Sequence, residues 1–452
     1  MMASFMRTLS AILLAALVLC GQQGPGRGRG PQSGIFHTDV PAHLYDLTLG
    51  RPEASQVTAT VLAYESLEGW FDYAGRRSVL VVLPAAVPVS VVLDGLQPDT
   101  PYPYRFHYRR PGAAGFEESA VHSFHTRRKP GSTFTFAVQA DSHLDENTDT
   151  SVYRQTLENI VAAKPDFLVD LGDTFMTDKH RPDFRDAFRQ YVAQRYYFGL
   201  PGPSVPLFLA LGNHDGEDGS RMEMAAWSLD LRTRYFPNPR PDGFYTGNPE
   251  PFEDYYAWEW GDALFIVLDP FRPTTGRGSE DNWYWTLGTP QYNWLKRTLE
   301  GSRARFRFVL LHHPTGAKDQ PIRGGVEAAL YNEWGGRNAD GTDGFAAHRP
   351  GWAMPVHQLL VKHGVSIIFH GHDHLYAREV LDGVVYQEVP QPGNPRPGVP
   401  RSAEEYGYTH GGVLGGAGYL LVRVSATEAA VDYVLAGPRE NGRVAASYLV
   451  RR

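Results

Sequence analysis

Five short clusters of metal-binding residue types punctuate the chain in one order: Asp141-Ser142-His143, Gly172-Asp173, Gly212-Asn213-His214-Asp215, His312-His313-Pro314 and Gly371-His372-Asp373-His374. Asp, Asn and His are the side chains that a pair of divalent metal ions would need. Each cluster directly follows a short apolar run: Thr133 to Ala140, Phe167 to Val169, Leu207 to Leu211, Phe306 to Leu311 and Val365 to Phe369. Runs of this length read as buried strands. The clusters are therefore expected where strands end and loops begin, the edge at which α/β sheets bind ligands. Histidines kept only for packing have no reason to select that edge repeatedly.

The chemistry such a set suits is attack of water on a phosphate ester. Water is a poor nucleophile at neutral pH, and the phosphoryl oxygens are negatively charged. Two metals roughly 3.5–4 Å apart answer both problems by lowering the pKa of bound water and clamping the substrate oxygens. Two cations held that close need a shared carboxylate. Asp173, alone in its cluster after a Gly, is the candidate. Imidazole and carboxylate ligands suit iron, zinc or manganese rather than calcium.

The elements that must carry these clusters follow from periodicity. After a polar linker, Arg127 to Gly131, strands alternate with helices. Tyr153, Leu157, Ile160 and Val161 share one helical face, with Thr150 or Ser151 available to cap it. Gln291 to Leu299 and Met354 to His363 read as two further helices, and Gly418 to Val424 and Ala430 to Leu435 as closing strands. Asp215 to Asp254, Pro270 to Thr289 and Thr315 to Trp352, rich in Gly, Pro, Asn and Trp, read as long loops that would form functional walls or lids. This alternation predicts a layered α/β domain over residues 131–450.

The first part of the chain differs. Closely spaced strand signals over residues 36–128, among them Val57 to Leu62, Gly69 to Tyr73 and Val79 to Leu83, predict an all-β sandwich. Leu96, Pro98, Thr100, Tyr102 and Tyr104 resemble the Leu-x-Pro-x-Thr-x-Tyr-x-Tyr stretch of fibronectin type III domains. None of the five clusters falls in this region, so its expected role is structural. Residues 21–35 read as a flexible linker. Residues 1–20 read as a signal peptide: Arg7, then an apolar stretch from Leu9 to Leu19 that is too short to span a bilayer comfortably. Cys20, the only cysteine, sits where a bacterial lipoprotein carries its lipid, with Leu17 fitting that box and Leu19 departing from it. Lipid anchoring at Cys20 and an ordinary signal peptide are the two expectations. Both imply a bacterial cell envelope or secreted protein without disulfides.

The chain has 452 residues, 42% hydrophobic, enough for more than one core. Its net charge of -7 offers no general attraction for nucleic acid.

As an ordered set, Asp-x-His, Gly-Asp, Gly-Asn-His-Asp, His and Gly-His-x-His resembles the calcineurin-like metallophosphoesterase family, over about Thr133 to Arg378. The resemblance implies two mixed sheets flanked by helices and two divalent or trivalent metal ions (Fe, Mn or Zn). It assigns Asp141, His143, Asp173 and His374 to one metal, and Asp173, Asn213, His312 and His372 to the other. His214 would lie just outside the metals, as proton donor to the leaving group or as a transition-state contact. The sandwich, Gly371 to Arg378 and Gln291-x-x-Trp294-Leu295 are similar to the purple acid phosphatase branch. That branch has Gly in place of His143 and a Tyr ligand in place of Met176, so no purple charge-transfer colour is expected. Asp170, Asp215 and Asp373 stand as partners of the ligands or as solvated turn residues. His313 either orients the site or packs beside Pro314, and His370 belongs to a strand end. His180, Arg323, Trp352, Tyr376 and Arg378 are candidates for lining the substrate pocket or for ordinary loop packing. The implied partner is a small phosphorylated substrate, a mono- or diester. A nucleotide or lipid-headgroup phosphodiesterase and a non-catalytic surface binding protein are the competing readings; no ligand of the set is missing, which argues against the second.

Overall fold

The apolar runs ahead of the clusters become the central strands of two sheets. The structure, a computed structural model, describes residues 34–249, 251–276, 281–315, 323–396, 402–408 and 411–452. The expected signal peptide with Cys20, and most of the linker, lie outside the described residues. One sheet has nine strands. At its centre Phe134–Gln139, Leu168–Asp170 and Leu207–Leu209 run parallel, and Gly418–Val424, Glu428–Leu435 and Val444–Arg451 add an antiparallel flank. The other sheet has eight strands, with Ala263–Val267, Phe306–Leu310 and Ile367–His370 running parallel at its centre.

The two sheets pack face to face because alternate residues of both are large and apolar. Phe136, Val138, Val169 and Phe208 of the first share one buried core with Trp258, Phe265, Phe308 and Phe369 of the second. Phe136 meets Phe265 edge to face, with ring centroids 5.0 Å apart. Each fully buried ring of this kind contributes about 1.5–3 kcal/mol relative to exposure. This packing sets the C-terminal ends of both groups of parallel strands beside each other.

Helices cover the outer faces. Thr150–Ala163 buries Val152, Tyr153, Leu157 and Ile160. Its cap is Asp149 rather than Thr150 or Ser151, because Thr150 is already helical; the Asp149 carboxylate accepts from the N–H groups of Ser151 and Val152 at 2.9 and 3.3 Å. Gly288–Gly301 and Val356–Lys362 cover the second sheet through Tyr292, Leu295, Leu299, Leu359 and Leu360. The expected loop from Asp215 to Asp254 contains a helix, Met222–Tyr235, in a stretch free of Gly and Pro. The one from Thr315 to Trp352 contains two short helical turns, Asn332–Gly335 and Phe345–His348. A further helix, Phe188–Phe198, has no counterpart in the expected elements.

Residues 36–128 form two β layers around Leu49, Val57, Val61, Leu67, Phe71, Tyr104 and Phe106. One layer is not separate from the rest. Tyr45–Gly50, Val57–Ala63 and Pro88–Leu93 extend the nine-stranded sheet, with Gly50 opposite Leu207 in parallel pairing. The buried Arg195 spans this seam, donating to the Thr48 hydroxyl and to the carbonyls of Asp46, Thr60 and Tyr235. Among the described residues no helix is long and apolar enough to cross a membrane.

Candidate metal centre

Each cluster occupies the turn that ends its strand, and three of these turns are strained. Asp141, His143, Asp173, His372 and His374 all have positive φ, from 43° to 82°. L-residues rarely adopt that region, and such strain gathers where surrounding structure forces a side chain into a working position. The glycines of the clusters let the turns approach one another: a Cβ on Gly172 would collide with the backbone of Gly212, and one on Gly212 with Asp173.

The turns bring the side chains into two groups. Asp141, His143 and His374 form one, and Asp173, His312 and His372 the other; within each group the potential ligand atoms lie within 4.8 Å of one another. Asp173 Oδ2 is 3.3 Å from His312 Nε2 and 3.7 Å from His143 Nε2, so its carboxylate touches both groups. Asp141 Oδ1 is 3.4 Å from His374 Nε2 and 3.5 Å from His143 Nε2. Asn213 Oδ1 lies 3.0 Å from His312 Nε2, which is 3.1 Å from His372 Nδ1. Half-buried His214 donates its backbone N–H to Asp173 Oδ1 at 2.8 Å and holds its Nδ1 2.8 Å from Asp178 Oδ1.

The electrostatics describe charges crowded out of water. Burial opposes ionisation of Asp141, yet His374, His143 and His312 beside it hold its carboxyl below the usual range. Asp173 is likewise held well down, against burial, by His312 and His214. Burial also works against a charged His312, but Asp173 and Asp141 push its pKa up to about 9. His372 goes the other way, pushed well down by burial and by the cations of Arg323 and His312. Asp141 Oδ1, His143 Nε2 and His372 Nε2 are buried without a hydrogen-bond partner among the described residues. Buried polar atoms left unpaired are costly. Carboxylate oxygens and imidazole nitrogens so arranged fit divalent or trivalent metal ions.

A supporting shell fixes the turns. His143 Nδ1 lies 3.3 Å from Asp145 Oδ2. His312 Nδ1 lies 3.1 Å from the carbonyl of Leu171. Contacts of this kind orient a ligating imidazole. Gln190 donates to the carbonyls of His143 and Thr174, and Gln194 to Thr174 and to Ser142 Oγ, so one helix clamps two ligand turns. Gln391 Nε2 donates to the Asp141 carbonyl at 3.1 Å.

Asp145, Asp178, Gln190, Gln194 and Gln391 were absent from the sequence candidates. Asp145 and Asp178 carry a usable signal, an acid four or five residues after a ligand Asp. The three glutamines carry none.

The other candidates lie as follows. Asp215 is buried, not solvated, and accepts from the N–H groups of Asp173, Thr174, Phe175 and Gly212. Asp170 accepts from the Gly172 N–H and the Thr174 hydroxyl. Asp373 accepts from Arg323, the Gly324 N–H and the Tyr408 hydroxyl. His313 lies between the carbonyls of Pro314 and Gly324. His370 ends its strand with Nδ1 2.6 Å from Glu388 Oε2. Tyr376 is buried and stacks on Tyr433, and Arg378 lies over the Tyr448 ring. His180 stacks on Phe36, and Trp352 on Tyr292. The contacts of Tyr376, Arg378, His180 and Trp352 are packing contacts, whereas His313 sets its ring 5.2 Å from that of the candidate ligand His372.

Two paired sheets with a carboxylate–imidazole–amide cluster across their adjoining strand ends define a metallophosphoesterase fold. The calcineurin-like phosphoesterase profile matches residues 134–376, more than half of the chain, and the chain belongs to that family. It is similar to "Purple acid phosphatase 23" of Arabidopsis thaliana, 22% identical over 305 residues that cover 64% of this chain and 57% of that protein. The chain thus spans little more than half of that relative's length. Among solved structures, one titled "Structure of PhoD" superposes with a TM-score of 0.63 at 16% identity, covering 90% of this chain and 88% of that one. Purple acid phosphatase PPD1 from yellow lupin seeds superposes with a TM-score of 0.61 at 14% identity, covering 90% of this chain and 74% of that one. Identities this low show a shared fold.

Proposed function

We propose that the chain hydrolyses small phosphorylated substrates at a pair of metal ions that share the Asp173 carboxylate. The observation that carries this reading is the position of Asp173, within 3.7 Å of His143 in one ligand group and 3.3 Å of His312 in the other. Asp141, His143 and His374 would hold one ion with Asp173; Asn213, His312 and His372 would hold the second. When bound, the ions supply a lowered pKa for water and a clamp on phosphoryl oxygens. Iron, manganese and zinc all suit the donor set.

The protein's own part is acid–base and positional. Asp178 on His214 Nδ1 favours the tautomer with its proton there, which leaves Nε2 for a substrate oxygen. Protonated, that nitrogen donates to the leaving-group oxygen and removes its developing charge. Asp145 keeps the His143 ring in its ligating orientation.

Residues 36–128 are proposed as a fibronectin type III-like sandwich fused to the catalytic layers of residues 131–450, and the chain as an exported, cell-envelope or secreted enzyme. The apolar stretch after Arg7 supports export.

A panel of aryl phosphate mono- and diesters, assayed with added manganese, zinc or iron, tests the activity. Metal-dependent turnover of either class is the expected result. Stoichiometric metal without turnover of any ester would overturn the proposal, and the ratio of mono- to diester rates assigns the substrate class.

A further inference from the structure

The first described residues of the chain, Gly34 to Asp39, run along the outside of the turn that carries His143. Phe36 and Thr38 are half-buried between exposed Ile35, His37 and Asp39, the alternation of an extended segment with one face inward. Phe36 forms an antiparallel bridge with Asp145, and the His37 N–H donates to the Leu144 carbonyl at 2.7 Å. The turn needs such a hold. His143 and Leu144 follow one another at φ of 43° and 55°, and backbone of this kind persists only where the surroundings over-determine it.

The Phe36 side chain supplies a second hold on the same turn. Its ring stacks on His180, with centroids 4.0 Å apart and planes 15° from parallel. His180 Nε2 lies 2.9 Å from Gln190 Oε1. Gln190 Nε2 donates to the carbonyls of His143 and Thr174, so Oε1 is the accepting end of that amide and His180 Nε2 is its donor. The stacked His180 therefore fixes which way the Gln190 amide faces. The strap backbone reaches His143 through Leu144 and Asp145, whose Oδ2 is 3.3 Å from His143 Nδ1, and the Phe36 ring reaches it through His180 and Gln190. His312 and His372 follow strands of the other sheet, and neither path passes through them.

We infer that Phe36 is a positioning residue of the metal centre, and that the Gly34 to Asp39 strap holds His143 in its ligating orientation while the His312–His372 side is held independently. The inference rests on the proposed assignment of His143 to a metal.

Titration of the metal-free full chain with Mn2+ in a calorimeter tests it. Phe36→Ala should weaken one of two binding steps about tenfold, the low end of what losing an outer support of a ligand costs. Phe36→Tyr, which keeps the ring, and Ile35→Ala, on the exposed face of the strap, should bind as the parent does. Phe36→Ala should add little in a His143→Ala background and keep its full effect in a His312→Ala background, a dependence that a general loss of stability would not produce. Hydrogen exchange of the metal-free chain gives a readout that needs no metal: Phe36→Ala should speed exchange over Ser142 to Asn147 and leave His372 to His374 unchanged. Equal weakening of both binding steps, an undiminished effect in the His143→Ala background, or unchanged exchange over Ser142 to Asn147 overturns the inference. A parent chain that takes up no Mn2+, Zn2+ or iron overturns the proposed metal pair instead, and the exchange result alone then decides whether the strap holds the turn.

Discussion

His214 Nδ1 lies 2.8 Å from Asp178 Oδ1, and Asp178 belongs to the same strand-end segment as Asp173, whose carboxylate accepts the His214 backbone N–H. The residue proposed as proton donor is thus oriented by the segment that carries the proposed shared metal ligand.

The pair makes Asp178→Asn informative. Losing the carboxylate releases the His214 tautomer but removes no metal ligand. Turnover should fall about 10–100-fold, the usual cost of losing such a partner, with metal content unchanged. Steady-state kinetics beside elemental analysis checks this. A metal-depleted variant would place Asp178 among the groups that hold the ions.

Asp173→Asn should be worse than His214→Ala. The first removes the charge shared by both groups, so metal content and activity should fall together. The second should lower turnover about 100-fold or more, within the range of general acid–base catalysis, and keep the metals. If His214→Ala strips the metals while Asp173→Asn retains them, the assigned roles are reversed.

A chain beginning at Pro130 should fail to fold stably. It removes the strand that pairs with Leu207–Leu209, and leaves the buried Arg195 guanidinium without Thr48, Asp46 and Thr60. Stripping a buried cation of three of its four partners, with the Tyr235 carbonyl alone remaining, costs about 3–5 kcal/mol. A cooperative thermal transition with bound metal in the truncated chain would show that the seam is dispensable.

Glu379 gives a pH-dependent stability. Burial, and then Glu327 beside it, push its carboxyl up from 4.5 to about 8. A carboxyl whose pKa is higher folded than unfolded holds its proton more tightly in the folded state. Its contribution is full below about pH 4.5, and is lost as pH rises through about 8. Glu379→Gln keeps an oxygen to accept from the Val326 N–H and removes the titration. The melting temperature of the variant relative to the parent should therefore rise between pH 5 and pH 8, by a few degrees for each ~1 kcal/mol gained. A constant difference across that range would show that Glu379 does not titrate there.

The metal-loaded protein should not be purple, even with iron. Met176 occupies the place where the purple branch has its tyrosinate, and a thioether is a soft, weak ligand for ferric iron. Visible spectroscopy at known metal content is the measurement. A strong band that vanishes on replacing a tyrosine would revise the ligand set.

Sequence alone determined where the candidate ligands stand, because potential ligands are written in residue type and strands in local apolar runs. Asp141, Asp173, Asn213, His312 and His372 each follow such a run, and period and position suffice to set them at strand ends. The helices at Thr150–Ala163 and Gly288–Gly301 were legible for the same reason, each having an apolar face. Phe188–Phe198 was not, because it turns Gln190, Gln194 and Arg195 inward. Those polar side chains make sense only beside their partners, which lie in Asp46 to Thr60, in Ser142 to His180 and at Tyr235. Tertiary structure also decided that the two sheets meet face to face through Phe136, Phe265 and Phe369, so that His312 and His372 from one reach Asp141 and Asp173 from the other. It joined the N-terminal strands to the catalytic sheet at Gly50 and Leu207. Such contacts depend on shape and burial between segments far apart in the chain, and no local pattern encodes which surfaces will pair.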